Sequence, residues 1–105
     1  MSPRSLGYAT LAVLQALEDG HRYGFDVIDH TGLPSGTVYP ALAALTRKGY
    51  VRSSWEDDVV ARAEARPRRR YYEVTPEGSV ALSEAMVHWS ALGLRGHVAD
   101  PGARA

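Results

Sequence analysis

Between Leu33 and Val51 the apolar residues Val38, Leu42 and Leu45 recur at spacings of four and three, with small, hydroxylated or basic residues between them. That period predicts a helix of about three to four turns with one narrow apolar stripe. Ser35 has the type and place of its N-cap, and Gly49 stands where a left-handed residue closes a helix. Upstream, Leu6, Thr10, Val13, Leu14 and Leu17 share one face of a helix expected from Ser5 to about Glu18, which Asp19-Gly20 breaks. Tyr8, Leu11 and Ala12 form part of a second apolar face, so this helix needs cover on two sides. In so small a domain a second subunit is the expected cover. Tyr23–Thr31 reads as a short helix with Val27 and Ile28 inward, Asp26 and Asp29 outward, and Gly32 at its end.

After Gly49 the period falls to two. Tyr50, Arg52 and Ser54 alternate with Val51, Ser53 and Trp55, which predicts a strand with Val51 and Trp55 on the buried side. A polar, Ala/Arg-rich loop is expected over 57–67, and RRYYEVT at 69–75 alternates again, giving a hairpin with a protruding tip. Thr75 is the expected N-cap of a last helix and Pro76 its first residue, where a missing N–H is harmless. That helix carries Leu82, Ala85, Met86, Trp89 and Leu92 on one stripe. Residues 1–4 read as a frayed arm, and the tail past Gly93, rich in Gly, Ala and charge, is expected to be disordered. The order helix, helix, helix, strand, wing, strand, helix is that of a winged helix-turn-helix, mainly α with a small β-hairpin. We expect residues 1–75 to form that unit, 76–93 a separate C-terminal helix and 94–105 a disordered tail.

Composition narrows the chemistry. A chain of 105 residues is long enough for one core. Without Cys it has no disulfide framework and no thiolate chemistry, which fits a cytoplasmic location. The apolar run near the N-terminus is too short and interrupted to span a membrane. Twelve basic side chains balance twelve acidic ones, and a zero net charge argues at first against a nucleic-acid partner. The distribution argues the other way. Arg62, Arg66, Arg68, Arg69 and Arg70 crowd a single short stretch beside Glu64 alone, and no Asp or Glu occurs on the predicted Ser35–Lys48 helix. Such a helix can lie against phosphates without repulsion. Enzyme readings fail on inventory: His21, His30, His88 and His97 are scattered, Asp57-Asp58 has no evident base or nucleophile beside it, and no phosphate-binding Gly loop is present. No cofactor is expected.

YGFDVID, SGTVYPALAALTRKGYV and RPRRRYYEVTPEG, taken in order, resemble the PadR family of transcriptional regulators. They match its tyrosine-bearing second helix, its G-T-x-Y-P recognition helix and its P-R-[RK]-x-Y-Y-x-[LV]-T-x-x-G wing strand. The likeness covers about Leu6 to Leu92. Where the family usually has His-Gly-Tyr, this chain has Tyr23-Gly24-Phe25 and lacks the second aromatic hydroxyl. The resemblance implies a DNA-binding regulator, and the single last helix resembles that of the family's small subgroup, in which it is the dimer arm.

On this reading the chain is a homodimeric repressor of a pseudo-palindromic duplex, with the Ser35–Lys48 helix of each subunit in a major groove. Ser35, Thr37 and Tyr39 are the candidates for holding phosphates and reading bases, and Arg66, Arg68, Arg69 and Arg70 for clamping the backbone or minor groove. Tyr23, Gly36, Pro40 and Arg47 complete the expected DNA surface. Pro40 removes the N–H that would bond the Gly36 carbonyl, which distorts the first turn. Tyr8, Leu11, Ala12, Leu82, Ala85, Met86, Trp89 and Leu92 are the expected dimer contacts. Leu82, Met86 and Trp89 form a candidate site for a planar aromatic effector. The alternative is a protein-interaction module whose basic wing docks an acidic partner.

Overall fold

Three helices, α1 (Tyr8–Glu18), α2 (Gly24–Thr31) and α3 (Ser35–Arg47), close around side chains that water does not reach: Leu11, Val13, Leu14, Val27, Val38, Leu42 and Leu45. In the computed structural model, which describes residues 6–92, they are followed by β1 (Val51–Trp55), α4 (Asp58–Ala63), β2 (Arg70–Val74) and α5 (Pro76–Ala91). β1 and β2 pair antiparallel, Val51 opposite Val74 and Trp55 opposite Arg70. Tyr23 adds an isolated bridge to Tyr71, and the Tyr72 N–H donates to the Arg22 carbonyl at 2.8 Å, so the entry to α2 is stitched to β2. This is a winged helix-turn-helix. The expected arm at 1–4 and tail at 94–105 lie outside the described residues.

Local chemistry accounts for most element ends. The Thr75 side chain accepts from the Gly78 N–H at 3.0 Å and its hydroxyl donates to the Gly49 carbonyl at 2.7 Å, with Pro76 opening α5 as expected. At the end of α3 the Tyr50 N–H reaches the Leu45 carbonyl and the Gly49 N–H the Thr46 carbonyl, a Schellman closure with Gly49 at φ +79°.

Four expectations are corrected. α1 begins at Tyr8 rather than Ser5, because Gly7 with extended backbone is its cap. Pro34, not Ser35, caps α3: its carbonyl accepts the Thr37 and Val38 N–H groups at 2.9 and 3.0 Å, and no side chain caps the helix. Ser35 is an exposed first-turn residue. The loop expected over 57–67 contains α4, because Asp57 accepts from the Val59 N–H at 2.8 Å and Arg62 pairs with Asp58 one turn away at 2.9 Å. It too ends in a Schellman closure, with Ala65 at φ +55° where glycine is usual. Trp55, expected on the buried side, is 56% exposed. It shares a sheet face with buried Val51, but the hairpin extends past the end of the core.

The second face of α1 needs no second subunit for most of its area. α1 packs against α2 and α3 and also against α5 and β2. Leu11, Leu82 and Ala85, expected at a dimer interface, are therefore buried in the chain's own core. Trp89 and Met86 are half-buried beside that core, and the Trp89 indole N–H donates to the Leu6 carbonyl at 3.1 Å. The Tyr8 and Trp89 rings meet edge-on with centroids 6.1 Å apart. Tyr8, Val80, Val87 and Leu92 remain exposed.

Candidate nucleic-acid interface

α3 buries Val38, Ala41, Leu42 and Leu45 and turns Ser35, Gly36, Tyr39, Pro40, Ala43 and Arg47 outward, with Thr37 half-exposed. None of these outward residues is acidic. Pro40 sits within the helix without breaking it, since α3 runs on to Arg47. The Tyr39 ring leans across the start of α2 against Gly24, where an added Cβ would meet the ring and push it outward. The approach keeps Tyr39 partly exposed and level with the entry to α2.

The base of the wing is organised by one carboxylate. Glu56, buried at the end of β1, accepts from Arg66 Nη1 and Nη2 (2.6 and 2.8 Å), from the Arg69 backbone N–H (3.2 Å) and from the Tyr71 hydroxyl (3.1 Å). The bidentate Arg66 hydrogen bonds are the largest cause of its low pKa, pushed down from 4.5 to about 2 against the opposing effect of burial. The same pairing raises the pKa of Arg66 above its ordinary value. Arg66, expected to hold DNA, is thus committed to a structural ion pair, with 23% of its side chain exposed. Glu56, which directly precedes Asp57 and Asp58 in the sequence, carries that pair.

The neighbouring arginines take different partners. Arg69 lies over the Tyr23 ring, 4.0 Å from its centroid. Arg68 donates Nε–H to the Glu56 carbonyl at 3.1 Å, and Arg70 donates Nη2–H to Ser53 Oγ at 3.0 Å. Tyr23 in turn meets Tyr71 edge-on, and Arg22 covers the Tyr71 ring at 4.9 Å. Between α2, the first turns of α3 and the wing runs a groove of about 510 Å³. Tyr23, Tyr39, Arg66, Arg68, Arg69 and Arg70 all line it, together with Phe25, Trp55 and Tyr72, and no carboxylate among the described residues does. Ser35, Gly36, Thr37, Pro40 and Arg47 lie on α3 beyond its walls. Leu82, Met86 and Trp89 belong to the α1–α5 side of the core, away from the groove.

Sequence reasoning missed Arg22, Phe25, Trp55 and Glu56. Alternation assigns a residue to a sheet face but not to a depth, and pairing of Glu56 with Arg66 depends on how the wing folds back. It also treated the histidines as isolated. His21 and His30 stack with centroids 4.0 Å apart, and His21 Nδ1 lies 3.1 Å from Asp26. Among the described residues no group of three or more His, Asp or Glu side chains is placed to hold a metal ion. Nor is any described helix long and apolar enough to cross a membrane.

Comparison with known proteins agrees with this geometry. The transcriptional regulator PadR-like family matches residues 13–84. No curated protein matches the chain. A PadR family transcription regulator from Clostridium difficile R20291 superposes with a TM-score of 0.71 at 25% identity, over 83% of this chain and 92% of that one. A transcriptional regulator from Clostridium thermocellum gives 0.68 at 26% identity, over 83% and 84%. BpsR of Bordetella bronchiseptica, whose DNA binding is regulated by 6-hydroxynicotinic acid, shares the fold with a TM-score of 0.67 at 24% identity, over 88% and 64%.

Proposed function

The chain belongs to the PadR-like family of transcriptional regulators, and from that premise we propose that it is a homodimeric repressor gripping a pseudo-palindromic duplex with α3 and the wing. The observation that carries this reading is the groove itself: α3's acid-free outer face adjoins a wall holding Arg68, Arg69 and Arg70 and, among the described residues, no carboxylate. On this reading α3 enters the major groove, with Ser35, Thr37 and Tyr39 on phosphates and base edges and Gly36, Pro40 and Arg47 on the same surface. Arg68, Arg69 and Arg70 hold the backbone or adjacent minor groove, Tyr23 steadies Arg69, and Arg66 acts by keeping the wing in place.

The test is a salt series of binding to the duplex upstream of the chain's own gene. The Arg68→Ala, Arg69→Ala double variant is expected to weaken binding to every sequence alike and to flatten the salt slope by about one to two units. Unchanged affinity at low salt overturns the reading in favour of a wing that docks an acidic protein.

The dimer proposed here uses apolar surface that the protomer leaves exposed or half-covered: Tyr8, Ala12, Met86, Trp89 and Leu92, with the exposed Val87 on the same last helix. A planar aromatic effector would stack at Trp89 where the two last helices meet, and would act by binding one spacing of the recognition helices better than another. Titration with planar dyes, followed by tryptophan fluorescence, is expected to lose its response in Trp89→Ala. A response that persists in that variant excludes this site, since Trp55 also emits.

A further inference from the structure

We infer that Trp55 is a positioning residue for DNA binding: its exposed indole is the platform that holds the Arg68 and Arg70 guanidinium groups at a fixed spacing on the wing. The inference rests on the DNA-binding reading above and deepens it. The Arg68 guanidinium carbon lies 5.3 Å and that of Arg70 5.4 Å from the centroid of the indole ring. Two like charges beside one ring repel each other, so the arrangement needs the attraction of the ring's electron-rich faces and a tether on each cation. Both tethers are present. Arg68 donates Nε–H to the Glu56 carbonyl, and Arg70 donates Nη2–H to Ser53 Oγ. Arg68 keeps both terminal NH₂ groups, and Arg70 keeps Nε and Nη1, without a protein acceptor among the described residues, so each retains donors for a phosphate.

Strand register explains why a tryptophan stands here. Trp55 pairs with Arg70, and its sheet face is the one that carries Val51 into the core, but at this end of the hairpin no core remains to cover it. The indole therefore borders the groove together with the two arginines. Arginine side chains carry much rotamer freedom, and fixing them only on binding weakens affinity. A ring that restrains them beforehand removes part of that loss, without itself touching DNA.

The experiment measures binding of the full chain to the upstream duplex and to a random-sequence duplex across a salt series. It uses Trp55→Ala, Trp55→Phe, the Arg68→Ala, Arg70→Ala pair and the triple variant with Trp55→Ala. Circular dichroism checks folding. Trp55→Ala is expected to weaken both duplexes roughly tenfold. Its salt slope should flatten by about 0.9 for each phosphate that the wing no longer neutralises. Trp55→Phe, which keeps a ring face, should restore most of both. The triple variant should bind no worse than the arginine pair. Weaker binding with an unchanged slope would mean that Trp55 touches DNA directly, and would overturn the positioning role. So would a Trp55→Phe protein no better than Trp55→Ala, or additive losses in the triple variant. Salt-independent binding by the unaltered protein would overturn the DNA-binding reading and this inference with it.

Discussion

Glu56 is the residue on which the wing's shape turns. Its carboxylate takes hydrogen bonds from Arg66, the Arg69 backbone and Tyr71, and its carbonyl takes one from Arg68, so one residue ties down three of the wall's four arginines. Removing one partner of a buried ion pair leaves the other charge uncompensated, so Glu56→Gln is expected to destabilise the protein more than a surface substitution would. The pH dependence has a definite sign. Folding lowers the Glu56 pKa from 4.5 to about 2, so its contribution is complete above about pH 4.5 and is lost as pH falls from there towards 2. Urea midpoints measured over that window should fall with pH in the unaltered chain and fall less in Glu56→Gln. Parallel curves for the two proteins would show that the carboxylate contributes nothing of the kind. Nothing in the sequence near Glu56 marks it out, because it stands directly before Asp57 and Asp58, both of which are exposed. Its role follows from which of the three carboxylates the wing folds over.

Among the elements, α5 shows how a local preference and a packing constraint can oppose each other. Gly78 lies in its first turn, where alanine would normally favour the helix by about 1 kcal/mol. A Cβ there would overlap the Tyr50 backbone carbonyl, which is also the acceptor for the Thr75 N–H. Backbone cannot step aside as a side-chain tip can. Gly78→Ala is therefore expected to destabilise the fold by about 1–3 kcal/mol in chemical denaturation. A gain would mean that propensity alone decides this turn. Gly24 is a contrasting case. The obstacle there is the Tyr39 ring, which can swing outward, so a Cβ would move a candidate DNA-binding side chain with less effect on stability. Caps and periods made these elements legible in the sequence: Thr75, Pro76, Gly32 and Gly49 end or begin helices as their chemistry requires. Pro34 replaced Ser35 as a cap because a backbone carbonyl needs no special side chain.

For the whole molecule the question is assembly, and the protomer restricts the answer. A Glu placed at Leu82 would test folding, since that side chain is already buried in the chain's own core. Val87 and Leu92 are 70% and 60% exposed, so they test association instead. Covering each is worth about 1.5–3 kcal/mol when fully buried in an interface. The Val87→Glu, Leu92→Glu pair is expected to keep its helical spectrum and to sediment as a monomer where the unaltered chain sediments as a dimer. Loss of cooperative DNA binding should accompany it, because one short helix reads too few base pairs for an operator. A variant that still sediments as a dimer would place the interface elsewhere.

The sequence by itself determined the winged helix order, the apolar faces of α2, α3 and α5, the helix-closing glycines and the absence of acidic residues from α3. These are properties of neighbours along the chain, and helix and strand periods report them directly. Three-dimensional packing alone decided that Leu11 and Leu82 belong to one core and that Trp55 stands clear of it. It also separated the arginines, tying Arg66 to Glu56 while Arg68 and Arg70 lie near the Trp55 ring and Arg69 lies over Tyr23. A period says which face a residue is on. How deep that face lies, and which charge stands opposite, depends on distances between segments remote in sequence, and those exist only once the chain has folded.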